Sequence, residues 1–491
     1  MQTIKIILSN RRAQIVRPYP YDELNEILKW RKPGWEYTNA AKFRGWDGYF
    51  HLLQRDVVGT GVFLALREKL EQELQARFKV QDNRCPPDFA VVPWEVEARK
   101  YQVECVQKMI EASTTGGLVL NATGTGKTAL TGMFLKRLKG PALFLVDELT
   151  LLDQAQKELT KWLGEPVGNI GNQKFNPQRI TVATIQTVHR HRFDAAFVPW
   201  TRSLKCIIID ELHLGLNRSN FQTIAAIKPP VVFGLTATLE LKKKHVAYRA
   251  YDLCGPSVYN YPLERGVEEG FLAKGVAVAV QVGQTSGLPP IKGNPQWKWA
   301  RARFRKRYHE LYEELIVNGQ ERNRVIENLI RTSYSRGKHI IVLMERVAHL
   351  KQLGLKLEDI PHNLVFGEVR AEDRIDAKKR FDDGKLRVIL TNKVFKKGVD
   401  IKKVDVIIDA AAMKNRNDAV QKYGRGVRLC DGKDGLIYFD IADTGNRFEK
   451  AAKSRRMALK KIGVPVFKVD SNLGSDEILR LALTQLKKVT G

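Results

Sequence analysis

Apolar residues in this chain come in short runs. Those at 118–120, 142–146, 180–183, 206–209 and 231–234 have strand length and are rich in Val, Ile and Leu. The stretches between them repeat their apolar positions at helical spacing. Runs without polar alternation, separated by helices, predict parallel strands covered on both faces. The pattern returns at 339–343, 363–366, 388–390, 404–408 and 435–439. The expectation is α/β: two tandem units with parallel sheets, at 98–285 and 326–450.

A different pattern precedes them. Residues 1–97 open with strand-like runs at 4–8 and 14–16, followed by an amphipathic stretch at 21–30. Aromatic and basic residues then mingle: Trp30, Trp35, Tyr37, Phe43, Arg44, Trp46, Tyr49 and Phe50. Gly59-Thr60-Gly61 leads into helical spacing over 62–78. Pro86, Pro87 and Pro93 mark 82–93 as a linker. A small α+β N-terminal domain is expected here. The motor units are joined through 286–325, a Pro/Gly stretch and then a basic helical segment. Residues 451–491 read as a basic helical tail.

Charge narrows the partners. The 491 residues include 82 Lys and Arg against 54 Asp and Glu, a formal net charge of +28. A field of that sign favours a polyanion. Residues 1–97 are nearly balanced, so almost all of the excess lies after residue 97. No apolar run approaches the ~20 residues of a spanning helix, so no membrane role is expected. The start of the chain lacks the apolar core and cleavage site of a signal peptide. Five scattered cysteines without CxxC spacing argue against a disulfide framework or zinc site and fit a reducing cytosol. The expected location is cytoplasmic, the host cytoplasm if the chain is phage-encoded.

The densest local signal is ATGTGKT at 122–128, between an apolar run and a helical stretch. A glycine-rich strand-to-helix turn aims backbone N–H groups at phosphates. Thr123, Gly124, Thr125 and Gly126 would form the cradle. Lys127 would reach the phosphates and Thr128 would hold Mg²⁺. Asn121 stands where the strict pattern begins with Gly. An NTPase also needs carboxylates at a second strand end, and Asp210-Glu211 follows 206–209. Asp210 would bind Mg²⁺ and Glu211 would polarise the attacking water. Asp147-Glu148 also ends an apolar run and is the competing pair; it is read as a strand end facing nucleic acid.

Together the motifs at 98–445 resemble a superfamily 2 helicase of the DExH type. The matching stretches are RKYQ at 99–102, ATGTGKT, LTLLDQ at 149–154, TIQT at 184–187, DELH at 210–213, TAT at 236–238, IIVLME at 340–345, TNKVFKKGVD at 391–400 and QKYGRGVR at 421–428. The resemblance implies paired RecA-like domains that bind ATP. Gln102 would read adenine. Arg425 and Arg428 would act as arginine fingers, with Gln421 positioning water or phosphate. His213, Thr236 and Thr238 would couple phosphate state to closure. Gly398 and Asp400 would link ATP to the strand. Thr184, Gln186 and Thr391 would contact nucleic acid. Trp46-Asp-Gly48 followed by Gly59-Thr-Gly61 resembles the front domain of phage UvsW-type helicases, related in activity to RecG-type branch-migration enzymes. That resemblance places Arg44 and Trp46 on duplex DNA, although Trp46 also fits a core position. The basic cluster at 297–307 adds Lys298, Arg301, Arg303 and Arg305, and 447–461 is a second cluster; either also fits a solvated helix face. The expected function is an ATP-dependent DNA helicase or translocase, acting as a monomer, that unwinds or branch-migrates forked and branched DNA in replication, recombination or repair. An RNA helicase and an ATP-gated clamp are the alternatives.

Overall fold

The apolar runs do become buried strands, and their order explains where polar residues emerge. The computed structural model describes residues 2–171, 174–283, 286, 298–392, 401, 403–412 and 416–490. It divides into two bodies, the first formed by residues up to Ala122 and Gly126–Tyr261, the second by Thr123–Thr125 and the residues from Pro262 on.

The first body begins with six short strands: β1 (Gln2–Leu8), β2 (Arg12–Ile15), β3 (Lys29–Arg31), β4 (Tyr49–His51), β5 (Val57–Gly59) and β6 (Ala76–Asp82). The main front sheet runs β5-β2-β1-β6, and β3 pairs with β4 separately. The helix expected over 62–78 is Thr60–Glu73. Gln75 then takes a left-handed turn, and 76–82 pair in parallel with β1. Strand pairing wins there because Ala76 and Phe78 point into the core while Arg77 and Lys79 stay exposed, a period of two.

The large sheet of this body contains β7 (Gly116–Asn121), β8 (Ala142–Val146), β9 (Gly168–Gly171), β10 (Lys174–Asn176), β11 (Ile180–Thr184), β12 (Cys206–Ile209), β13 (Val231–Thr236) and β14 (Ser257–Tyr261). Its order is β10-β9-β11-β8-β12-β13-β7-β14. All neighbours are parallel except the edge hairpin β9–β10.

The front sheet is not a separate bead. Its core includes Ala247 and Tyr248 from the helix Lys244–Leu253. The Tyr248 hydroxyl donates to the Ile27 carbonyl at 3.0 Å, and Arg11 donates to the Leu253 carbonyl at 2.8 Å. Gly61 explains part of the Gly-Thr-Gly signal. A Cβ there would stand 2.1 Å from the Tyr251 carbonyl oxygen, so only glycine lets the two helices approach this closely. Nor is 82–93 a free tether. Ala90 donates to the Arg137 carbonyl at 2.7 Å, Lys139 to the Asp88 carbonyl at 2.8 Å, and the Arg137 guanidinium stacks 3.7 Å over Trp94.

The second body carries β15 (Gly275–Gly283), β16 (Ile340–Leu343), β17 (His362–Val365), β18 (Val388–Thr391), β19 (Val406–Asp409), β20 (Leu436–Thr444) and β21 (Val466–Asp470). The order is β17-β18-β16-β19-β20-β15-β21, all parallel. Two expected boundaries shift. Residues 275–283 were expected in the first unit, but β15 lies between β20 and β21. The expected tail at 451–491 supplies β21 and a closing helix whose Ile478, Leu479, Ala482 and Leu486 join the second core. Arg455, counted in the second basic cluster, is 2% exposed and holds Asp440 at 2.7 Å.

Gly61→Val should therefore destabilise the first body by about 1–3 kcal/mol through overpacking. Urea unfolding followed by tryptophan fluorescence would measure it, and an unchanged midpoint would remove Gly61 from the packing contact.

Candidate ATP site and nucleic-acid surface

The turn after β7 has the backbone that its sequence demands. Gly124 has φ +92° and Gly126 φ +75°, both in the left-handed region. Gly126 is the N-cap of the helix Lys127–Arg137, and no side chain caps that end. The first-turn N–H groups and the positive helix end thus meet the turn, the arrangement that holds anions. Gln102 lies beside it: a Cβ on Gly126 would sit 3.0 Å from its Nε2. Gln102 is buried, and its Oε1 accepts from the Arg99 N–H at 3.0 Å, closing a capping box on the helix Lys100–Glu111. The same side chain therefore fixes a helix start and overhangs the glycine turn.

Asp210 and Glu211 leave the end of β12. The Asp210 N–H donates to the Leu145 carbonyl at 2.9 Å, continuing the ladder, and the Glu211 N–H donates to Asp210 Oδ1 at 3.0 Å. Burial and then the Glu211 charge push the Asp210 pKa up to about 6, and Lys127 opposes them. Two acids are thus held in a recess with one lysine against them, a donor set suited to a cation. Glu211 has φ +48°, a strained conformation for a non-glycine residue. From it a polar chain runs on. His213 Nδ1 is 3.3 Å from Glu211 Oε2 and 3.5 Å from Thr236 Oγ1, and Thr236 Oγ1 accepts from the Thr238 N–H at 3.2 Å. The expected coupling residues are consecutive contacts leading away from the acid.

Asp147 is engaged elsewhere. Its Oδ1 accepts from Gln186 Nε2 at 3.4 Å, and exposed Glu148 is the N-cap of the helix Leu149–Leu163. Among these strands β8 lies one place further from β7 than β12 does.

In the second body, Gln421 and Arg425 share one face of the helix Arg416–Gly426, four residues apart. Arg428 follows it, bridged to Leu272. The helix is pinned by buried Lys422, whose Nζ donates to Asp409 at 2.7 and 2.8 Å. The Tyr438 hydroxyl donates to the same carboxylate at 2.6 Å. Burial would raise the Asp409 pKa, but Lys422 and then Arg455 outweigh it and hold the carboxyl well below its ordinary range. Gly398 and Asp400 lie outside the described residues.

Family models agree with this division. One for "Type III restriction enzyme, res subunit" matches residues 95–241, and one for "Helicase conserved C-terminal domain" matches 321–430. The chain is a superfamily 2 helicase. This ATP-dependent helicase is 24% identical over 416 residues to the DNA 3'-5' translocase XPB2 of Sulfurisphaera tokodaii, covering 79% of this chain and 90% of that one. It is 26% identical over 394 residues to the type I restriction enzyme EcoAI endonuclease subunit of Escherichia coli, covering 72% of this chain. There it spans 46% of the relative's length. Among solved structures, the type ISP restriction-modification enzyme LlaBIII bound to DNA aligns with TM-score 0.55 and 15% identity over 82% of this chain and 33% of that one. T4 UvsW aligns with TM-score 0.45 and 14% identity over 96% of this chain and all of that one.

The helicase's expected DNA contacts divide sharply by exposure. Trp46 is half-buried: its Nε1 donates to the Tyr49 carbonyl at 3.0 Å and its ring stands edge-on to Phe50 at 5.2 Å. Asp47 Oδ1 accepts from the Tyr49 N–H at 3.0 Å, so Trp-Asp-Gly shapes a turn. The exposed groups are Arg44 and its neighbour Phe43, 81% exposed. Thr184 is buried and caps the helix Ile185–His191 through the Thr187 N–H at 3.2 Å, whereas Gln186 is exposed. Thr391 is fully buried at the end of β18. Arg303 and Arg305 are exposed on the helix Lys298–Tyr312; the side chains of Lys298 and Arg301 lie outside the described residues. Which aromatic faces water was not legible, because Phe43 and Trp46 sit in the same basic-aromatic stretch. No helix among the described residues is long and apolar enough to cross a membrane.

Glu211→Gln should slow single-turnover ATP hydrolysis about 10²–10⁴-fold, the range of a lost general base, while Glu148→Gln stays within about threefold. The reverse pattern would move the acidic pair to the end of β8. Lys422→Ala should cost about 3–5 kcal/mol, since it strands the Asp409 charge in the core; denaturant unfolding of the second body reads this directly.

Proposed function

We propose that this helicase is a DNA translocase that opens or branch-migrates forked DNA. On this reading the Gly124–Gly126 turn, Lys127 and the Lys127–Arg137 helix end hold the ATP phosphates, Thr128 and Asp210 hold Mg²⁺, and Gln102 meets the base. Bound ATP supplies a phosphoanhydride whose hydrolysis drives the cycle. Glu211 takes the proton from the attacking water, and its contact with His213 hands the change in charge to Thr236 and Thr238. Arg425 and Arg428, with Gln421 one turn before Arg425, are the cationic groups suited to the charge that develops on a transferring phosphoryl group.

The observation that carries the forked-DNA reading is Phe43. It is 81% exposed, and Lys42 and Arg44 flank it with positive charge. The six-residue helix that bears it, Asn39–Arg44, is capped by Thr38 and closed by left-handed Gly45. It is followed by β4, whose Phe50 packs against the core that the N-terminal strands share with Ala247 and Tyr248. An apolar wedge between basic residues suits the point where a duplex loses its last stacked pair.

Fork unwinding by Phe43→Ala, divided by its single-strand-stimulated ATPase, should fall about tenfold relative to the parent, the scale of one lost base stack. A panel of forked DNA, plain duplex and RNA duplex places the substrate. An unchanged ratio would remove Phe43 from the junction, and stronger stimulation by RNA would overturn the DNA reading.

A further inference from the structure

A second aromatic surface lies on the opposite half of the first large sheet. A cavity of about 550 Å³ opens there at the carboxyl ends of the strands. That is within the ~300–1,000 Å³ of small-ligand clefts. Leu149 supplies apolar wall above the buried Ile170, Phe175 stands on the edge hairpin 45% exposed, Gln186 offers an amide, and Lys174 and Arg190 bring positive charge. Asp147 completes the wall with an acceptor. Phosphate alone would not need this set: an apolar floor and a carboxylate are poor company for an anion. A flat ring with polar edges and a phosphate on either side matches it group by group.

We propose that this cavity takes a single unpaired nucleobase turned out of the tracked strand. This rests on the nucleic-acid reading above and adds a base-holding site to it. The ring lies against Phe175 over the Leu149 wall. Asp147 accepts from a ring amino or imino N–H, and Gln186 serves a neighbouring edge atom. Lys174 and Arg190 hold the flanking phosphates. The hairpin that carries Phe175 is an antiparallel addition to a parallel sheet, and Phe175 pairs directly with Ile170, so the stacking face and the floor are fixed in register. Thr184 caps the helix Ile185–His191, which fixes Gln186 and Arg190 one turn apart on the same rim. A base held here would keep the strand from slipping while the motor resets.

The test compares two single strands of equal length and phosphate number, oligo-deoxycytidylate and its abasic counterpart, binding the full chain in fluorescence anisotropy at fixed salt. The parent should bind the base-bearing strand about tenfold more tightly, as one good aromatic stack allows. Phe175→Ala should close most of that gap, and Phe175→Trp should restore it. Arg190→Ala should weaken both strands alike and flatten the salt dependence by about 0.7, one phosphate on a single strand. A gap that survives Phe175→Ala overturns the proposal. A parent that binds both strands equally also overturns it and leaves the nucleic-acid reading standing. Binding of neither strand would bring down both.

Discussion

Parallel strand pairing buried on both faces is the constraint from which the rest follows. Every internal strand of the two large sheets satisfies its backbone laterally, and helices cover both sides, so the strand bodies admit few polar side chains. Polar chemistry is driven to the carboxyl ends. In the first body those ends carry the glycine turn after β7, Asp147 after β8, Thr184 on β11, Asp210 and Glu211 after β12, and Thr236 on β13. This is the edge at which open α/β sheets bind ligands.

Strand order then separates two kinds of chemistry along that edge. β7, β13 and β12 are consecutive neighbours, and they bring together the glycine turn, Thr236 and the Asp210-Glu211 pair. β8, β11 and β9 form the other half, where the acidic strand end faces Gln186 and an aromatic wall. Asp147-Glu148 and Asp210-Glu211 look alike in sequence, yet Asp147 faces Gln186 while Asp210 feels Lys127. The second body orders its functional helix differently, through buried charge. Asp409, Lys422, Tyr438, Asp440 and Arg455 form one network in its core, and Arg322 pairs with Asp443 fully buried nearby. Such pairs return little net stability against well-packed apolar residues. They do fix the helix Arg416–Gly426 in one rotation, and with it the directions of Gln421 and Arg425.

The front sheet shows how a small unit can share a core with a larger one. Its core is completed by Ala247 and Tyr248 of the motor, and Gly61 removes a Cβ that would hold the two apart.

The amino-acid sequence by itself determined what is local. The strand runs, the phosphate turn and the acid pair each depend on residues within about one element, and spacing alone expresses them. So the α/β class, the tandem motor and the nucleotide chemistry were legible from 122–128, 206–213 and 421–428. Tertiary structure decided what depends on partners far along the chain. The run 275–283 has a strand's pattern wherever it lies, and only pairing with β20 and β21 assigns it to the second sheet. Arg455 reads as one more cation in a basic tail until Asp440, fifteen residues earlier, meets it in the core. Trp46 and Phe43 have equal claims to the surface until the Tyr49 carbonyl takes the indole N–H of one and leaves the other ring in water. In each case the deciding quantity is burial, which belongs to the packed chain and not to any window of its sequence.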